Sequence, residues 1–183
     1  MTMLLLIRHG IAEESRSGLP DSERALTEEG WIKTRAAMTG LVSRGYLPSR
    51  GISSPYRRAM ESMACLKEAA MATDPKHAFP VGVSDGFTPG ADTVEMDHWL
   101  RRLVINAGPA ELIAITSHEP FLSSLIHQLT GQHIEVKKAS CTVIEWTGDG
   151  WRFKQHLKPS ELRGGECENE GRGSDQWPIK REG

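Results

Sequence analysis

The sequence predicts an α/β fold: a three-layer α/β/α sandwich whose mostly parallel sheet ends in an antiparallel hairpin. Three observations carry this reading. Met3 to Ile7 and Leu112 to Ile115 are uninterrupted apolar runs of strand length, the pattern of strands buried on both faces of a parallel sheet. Stretches with helical periodicity separate the strand candidates, as β–α–β alternation requires. Near the end, Gly148-Asp149-Gly150 lies between two strand-like segments and marks a hairpin turn.

Each element has its own local reason. Leu26-Thr27-Glu28-Glu29-Gly30 reads as a helix start, because Thr27 can cap free amides and the glutamates suit the positive end of the helix dipole. Trp31, Met38, Leu41 and Val42 then share one helical stripe that ends near Gly45. Ile52 belongs to a short strand that stops at Ser53-Ser54-Pro55. A second helix from about Arg57 is expected to turn Met60, Met63 and Leu66 inward and to close before Pro75. Phe79 to Val83 fits a short strand. Pro89-Gly90-Ala91-Asp92 opens a helix with Val94, Trp99, Leu100, Leu103 and Val104 facing the core. The apolar Leu112 to Ile115 strand runs into Thr116-Ser117-His118-Glu119-Pro120, and a helix follows from about Phe121 to Leu129. Thr142 to Trp146 and Trp151 to His156 form the hairpin.

The 183 residues suffice for one domain with a sizeable core and not for two comfortable ones. That domain is expected over residues 1–160. The Gly- and charge-rich segment 161–183 reads as a disordered tail. A net charge of -2 excludes any general attraction to nucleic acid or anionic membrane, so anion binding must come from a few placed cations. The apolar N-terminal run is too short for a signal-peptide core or a membrane span. Cys65, Cys141 and Cys167 are odd in number and widely spaced, which fits neither a disulfide framework nor a zinc site. The expected location is the cytoplasm.

Chemistry concentrates at three places in this map. Arg8-His9-Gly10 follows the first strand, Ser54 to Arg58 follows the second, and Ser117-His118 follows the late apolar strand. In a parallel sheet the carboxyl ends of these strands share one edge, where open α/β folds build their sites. Two guanidinium groups there can chelate phosphate through paired donors and stay charged. Neutral imidazole is a competent nucleophile toward phosphorus. Gly10 permits a sharp turn and a close approach of the anion. The set suits phosphoryl transfer by positioning and charge stabilisation, with no metal or other cofactor expected.

The sequence resembles the histidine phosphatase superfamily (phosphoglycerate mutase-like) and is most similar to its SixA-type phosphohistidine phosphatases. The resemblance rests on Leu6-Ile7-Arg8-His9-Gly10, Leu26 to Gly30, Ser53-Ser54-Pro55-Tyr56-Arg57-Arg58-Ala59, Thr88-Pro89-Gly90 with Asp92, and Ile115 to Pro120. These motifs occur in order across residues 1–160. The resemblance implies a catalytic set of His9, Arg8, Arg58 and His118. His9 would be the nucleophile and Arg8 its neighbouring clamp. Arg58, rather than Arg57, would be the second clamp, and His118 would hydrogen-bond a phosphate oxygen. Phosphate would be held by Arg8, Arg58, His118 and Gly10.

Two residues are candidates for the proton donor: Glu119, directly after His118, and Asp85, before the Pro89-Gly90 turn. Neither lies within a strong match, and phosphohistidine asks least of an acid because imidazole leaves more readily than an alkoxide. The preferred reading is therefore a phosphatase acting on phosphohistidine in a partner protein, such as a histidine-containing phosphotransfer domain in signal transduction, with inorganic phosphate as product. The alternatives are a phosphatase of small phosphate monoesters and a non-catalytic phosphate-sensing adaptor. A mutase is disfavoured, because Ile11-Ala12-Glu13-Glu14 lacks the Ser and Asn usual there. His77, His98, His127, His133 and His156 show no ligand spacing. Lys137-Lys138 could edge a protein-binding surface, though an exposed approach to the hairpin is the simpler reading.

Overall fold

A computed structural model describes residues 1–108 and 110–164. Six strands form one sheet in the order β3-β2-β4-β1-β5-β6. They are β1 (Met3–Arg8), β2 (Arg50–Ser53), β3 (Val81–Val83), β4 (Leu112–Ser117), β5 (Cys141–Trp146) and β6 (Trp151–Leu157). Neighbours among β1 to β4 run parallel, while β5 runs antiparallel to β1 and pairs antiparallel with β6. This is the predicted mostly parallel sheet with its terminal hairpin. Gly148, at φ +104°, sits in the turn, where a left-handed backbone favours glycine.

Among the described residues, five α-helices cover the sheet: α1 (Glu28–Ser43), α2 (Arg57–Thr73), α3 (Thr93–Ile105), α4 (Phe121–Thr130) and the short α5 (Pro159–Leu162). The alternation of β1 sorts them into two layers. Leu5 and Ile7 point into a core with Met38, Leu41, Met63, Leu66 and Leu162, from α1, α2 and α5. Leu4 and Leu6 point oppositely, into a core with Met96, Leu100, Phe121, Leu122 and Leu125 from α3 and α4. A strand that buries both faces must be apolar at every position, which is why Met3 to Ile7 carries no polar alternation. Helix starts follow the expected chemistry. The Thr27 hydroxyl accepts from the Gly30 amide at 3.0 Å, and the Asp92 carboxylate accepts from the Val94 and Glu95 amides at 2.8 and 3.0 Å.

Several expectations need correction. Met60 is 46% exposed and Val94 50% exposed, so neither faces the core. On α2 the inward stripe is Arg58, Ala59, Ser62, Met63, Leu66, Ala69 and Ala70, and Met60 falls beside it. On α3 the stripe is Met96, Asp97, Leu100 and Val104, leaving Val94 outside in the first turn. The third strand is only Val81–Val83, all of it exposed at the sheet edge, while Phe79 is buried ahead of it. The fourth strand runs on to Ser117, so its polar end belongs to the sheet. Leu162, two residues past the expected domain end at 160, is buried against α1, so the folded unit reaches at least that residue. Beyond residue 164 the expected disordered tail lies outside the described residues. No helix among the described residues is long and apolar enough to cross a membrane.

Candidate active site

β1, β2 and β4 end side by side, and their register carries the three polar clusters to one edge. Arg8 pairs with Ser117 at the end of the β1–β4 ladder, and Ser53 pairs with Thr116 in β2–β4. Buried hydroxyls lock these ends together. Thr116 Oγ1 lies 2.9 Å from Ser53 Oγ, and Ser117 Oγ donates to the Phe87 carbonyl at 2.6 Å. Unpartnered hydroxyls at such positions would cost about 1–3 kcal/mol each, so the pairing holds the edge rigid.

His9 follows directly, with its amide donating to the Ser117 carbonyl at 3.1 Å. Its Nδ1 sits 2.7 Å from the Gly10 carbonyl oxygen, which can only accept. Nδ1 therefore carries the proton in the neutral ring and Nε2 keeps its lone pair. Arg58, only 3% exposed, donates from Nε to that Nε2 at 3.2 Å. Burial is the largest influence holding His9 unprotonated, at a pKa of about 3; the hydrogen bond to Gly10 opposes it, while His118, Arg58 and Arg8 reinforce it. His118 is likewise lowered to about 3, first by burial and then by Arg58.

The two rings lie 5.1 Å apart between centroids at an interplanar angle of 53°. His118 Nε2 is 2.7 Å from Ser54 Oγ, and that oxygen also accepts from the Tyr56 amide at 3.3 Å. If the Ser54 hydroxyl donates to Nε2, Nδ1–H becomes the free donor. His118 Nδ1 and Arg8 Nε are buried without a protein partner among the described residues. Arg8 itself is anchored by Nη1 donating to the Val136 carbonyl at 2.8 Å. Burial lowers its pKa, with the nearby Glu119 acting against that.

The structure thus brings together Arg8, His9, Arg58 and His118, and leaves Arg57 56% exposed in an ion pair with Glu61. Gly10 has a packing role beside the expected one. A Cβ there would lie 2.0 Å from Thr34 Oγ1 on α1, so glycine is what lets the turn pack against that helix. Its amide donates to Ser62 Oγ at 3.0 Å, and Ser62 in turn donates to the Arg58 carbonyl at 2.7 Å. Those bonds tie the His9 turn to α2.

Neither proton-donor candidate is hydrogen-bonded to these four residues. Glu119 is half-buried, and its Oε1 accepts from the Ser123 amide at 2.9 Å in the first turn of α4. Asp85 is exposed at the start of the short turn Asp85–Phe87. The carboxylate that does reach the site is Asp21, which sequence reading placed only in a polar loop. Its Oδ2 accepts from Arg58 Nη2 at 3.0 Å and its carbonyl from Arg58 Nη1 at 2.6 Å, while Arg24 grips Oδ1. A signal existed: a buried arginine needs a counter-charge, and the connection between β1 and α1 is longer than the usual few residues. Among the described residues no group of three or more His, Cys, Asp or Glu stands where it could hold a metal ion. The arrangement can bind a phosphoryl group between the imidazoles and guanidiniums and attack it from His9 Nε2.

No family model matches the chain. An uncharacterized protein of Picosynechococcus sp. is 27% identical over 140 residues, covering 74% of this chain and 80% of that protein. The solved structure of the protein histidine phosphatase SixA complexed with tungstate matches with a TM-score of 0.76 at 20% identity, over 87% of this chain and 99% of that one. The phosphoserine phosphatase of Entamoeba histolytica in complex with 3-phosphoglyceric acid gives 0.64 at 16%, over 88% and 100%. A mycobacterial glucosyl-3-phosphoglycerate phosphatase gives 0.63 at 16%, over 83% and 96%. The chain has the fold of the histidine phosphatases.

Proposed function

We propose that this protein is a phosphohistidine phosphatase that removes the phosphoryl group from a partner protein through a covalent intermediate on His9, without a metal. The observation that carries the proposal is the state of His9: neutral, with its tautomer fixed by the Gly10 carbonyl and its Nε2 lone pair facing a buried guanidinium. In this reading Arg58 Nε–H shifts from His9 Nε2 to a phosphoryl oxygen, and Nε2 attacks phosphorus while the bond to the substrate's imidazole nitrogen breaks. A substrate ring already protonated on its other nitrogen leaves as neutral imidazole. Water then attacks phospho-His9 and releases inorganic phosphate, restoring the neutral ring. Arg8 and Arg58 balance the charge on the transferring oxygens, and His118 Nδ1–H donates to one of them.

Two considerations favour phosphohistidine. The carboxylates near the site are engaged elsewhere, Asp21 by two arginines and Glu119 by the α4 amide, so a substrate whose leaving group needs little help fits best. The likeness to SixA points the same way. The second reading, hydrolysis of small phosphate esters, is favoured by the likeness to enzymes named for phosphoserine and glucosyl-3-phosphoglycerate. Initial rates on a phosphohistidine protein and on simple phosphomonoesters, both in the presence of a chelator, decide between them. Faster release from the phosphohistidine protein is expected; faster ester hydrolysis would replace the substrate and keep the chemistry. Loss of all release on chelation would remove the metal-free mechanism.

A further inference from the structure

We propose that Asp21 is a positioning residue: it grips the far edge of the Arg58 guanidinium and so aims the near edge at the phosphoryl group beside His9. The inference rests on the phosphatase reading. A guanidinium has two edges that can each donate a parallel pair of hydrogen bonds, one made by the two terminal nitrogens and one by Nε with a terminal nitrogen. In Arg58 the terminal pair is taken by a single residue. Nη1 donates to the Asp21 carbonyl at 2.6 Å and Nη2 to its carboxylate at 3.0 Å. The other edge points at the nucleophile, with Nε donating to His9 Nε2 at 3.2 Å. The second proton on Nη2 lies on that same edge, and the Arg58 Nη2 bond to Asp21 is the one Nη2 makes among the described residues. A phosphoryl group entering beside His9 takes the Nε proton over from His9 Nε2, which frees that lone pair, and meets it side by side with the Nη2 proton as a parallel pair of donors.

Asp21 can do this because it is itself held. Arg24 donates to Oδ1 from Nε at 2.8 Å and pairs with it from Nη2 at 2.7 Å. Arg24 Nη1 donates to the Glu13 carbonyl at 2.7 Å, and an isolated bridge between Ala12 and Leu26 closes the base of the loop. A continuous line of contacts thus runs from the loop through Arg24 and Asp21 to Arg58. An arginine has a long, rotamer-rich stem, and fixing it before substrate arrives removes an ordering cost from the reaction. Asp21 is unsuited to be the acid. Burial raises the tendency of its carboxyl to hold a proton, but the hydrogen bonds and charges of Arg58 and Arg24 outweigh that and keep its pKa below the usual carboxylate range.

The test compares wild type, Asp21→Ala, Asp21→Asn, Arg58→Ala and the Asp21→Ala/Arg58→Ala double variant, each checked by thermal melting. Two substrates, a phosphohistidine protein and a phosphomonoester, are followed together with titration by inorganic phosphate. Asp21→Ala should lower kcat by about ten- to a hundredfold while KM rises no more than about fivefold, by the same factor on both substrates. Asp21→Asn keeps an acceptor oxygen for Arg58 and should recover part of the loss. In the Arg58→Ala background the Asp21→Ala change should cost less than about twofold, the signature of a residue that acts through another. An equal loss in that background, a loss confined to the ester, or no loss at all in Asp21→Ala would each overturn the proposal. Should the wild type turn over neither substrate, the phosphatase reading fails, and phosphate titration alone decides the role of Asp21. The expectation there is binding weakened about fivefold by Asp21→Ala and not weakened further in Arg58→Ala.

Discussion

Two pairs of histidines lie ring to ring in this molecule, and they differ in everything except contact. His127 and His133 stack at the surface near the end of α4, with centroids 4.1 Å apart and planes within 20° of parallel. Both are exposed. His9 and His118 sit farther apart, at 5.1 Å and a tilt of 53°, yet they are only 6% and 1% exposed and lie within reach of the charges of Arg8 and Arg58. Proximity of imidazoles is thus not what makes the candidate site. Burial, which strips water from the ring, and fixed cations, which oppose its protonation, are what keep the His9 lone pair available. The surface pair has neither a strand end to fix it nor a buried guanidinium beside it.

The largest effect should come from His9, the proposed nucleophile. His9→Ala should reduce phosphate release from a phosphohistidine protein by at least about a thousandfold, the scale on which covalent nucleophiles act. His127→Ala should change the same rate by less than about twofold. Chemical trapping of phosphate on His9 in the wild type, and its loss in His9→Ala, checks the assignment directly. A comparable loss in both variants would erase the distinction between the two pairs.

Arg58, the proposed clamp, should come next. Arg58→Ala is expected to lower kcat/KM by about a hundred- to a thousandfold, as when one fixed donor to a developing oxyanion is removed. Arg57→Ala, one residue away in sequence and paired with Glu61 at the surface, should cost no more than about twofold. Steady-state kinetics on the two variants suffices, and equal losses would mean that the polarity of α2 has been assigned to the wrong face.

Most of the candidate site was legible in the sequence because strand ends are. Met3 to Ile7 and Leu112 to Ile115 have the length and unbroken apolarity expected of buried parallel strands, and the residues just beyond such strands meet at one edge. That logic reached Arg8, His9, Arg58 and His118 through their places in the chain. It could not reach Asp21, Ser54 or Ser62 as members of the site. Asp21 sits on a loop whose path depends on Arg24, Glu13 and Glu61, contacts with no periodic trace. Ser54 and Ser62 look like ordinary helix-start and helix residues until their hydroxyls are seen to bond His118 and the Gly10 amide. Met60 and Val94 show the same limit from the other side, since an apolar residue just off the stripe cannot be told from one on it by composition. The carboxylates adjacent to motifs, Glu119 and Asp85, drew attention by sequence position, whereas side-chain direction brought a different acid to the pocket.

Acid stability should separate buried from exposed imidazoles next. Unfolded histidine titrates near 6.5, while folded His9 and His118 do so at about 3. Between those values the unfolded chain binds protons that the folded chain refuses, so stability is fully present above pH 6.5 and is lost as pH falls toward 3. Each ring can contribute a slope of up to about 1.4 kcal/mol per pH unit in that window. Urea unfolding from pH 7 to pH 4 should therefore show a shallower decline in His118→Ala than in the wild type. An unchanged slope would mean that the folded pocket accepts the proton.

The smallest effect tests how the turn itself is packed. Gly10→Ala should destabilise the fold by about 1–3 kcal/mol, since the new methyl group would press on Thr34 Oγ1 from 2.0 Å and force either the turn or α1 to shift. Thr34 Oγ1 is buried without a partner among the described residues, so Thr34→Ala removes the closest obstacle, leaving only contacts at 3.3 Å, and strands no hydrogen bond. The double variant should then be more stable than the two single costs predict, a coupling that thermal melting resolves. It also separates two reasons for a glycine beside the nucleophile. If packing alone requires it, phosphate release recovers with stability in the double variant, to within about threefold of Thr34→Ala. If stability returns and turnover does not, the bare Cα is serving the anion, and Gly10 belongs with Arg8, Arg58 and His118 in the pocket.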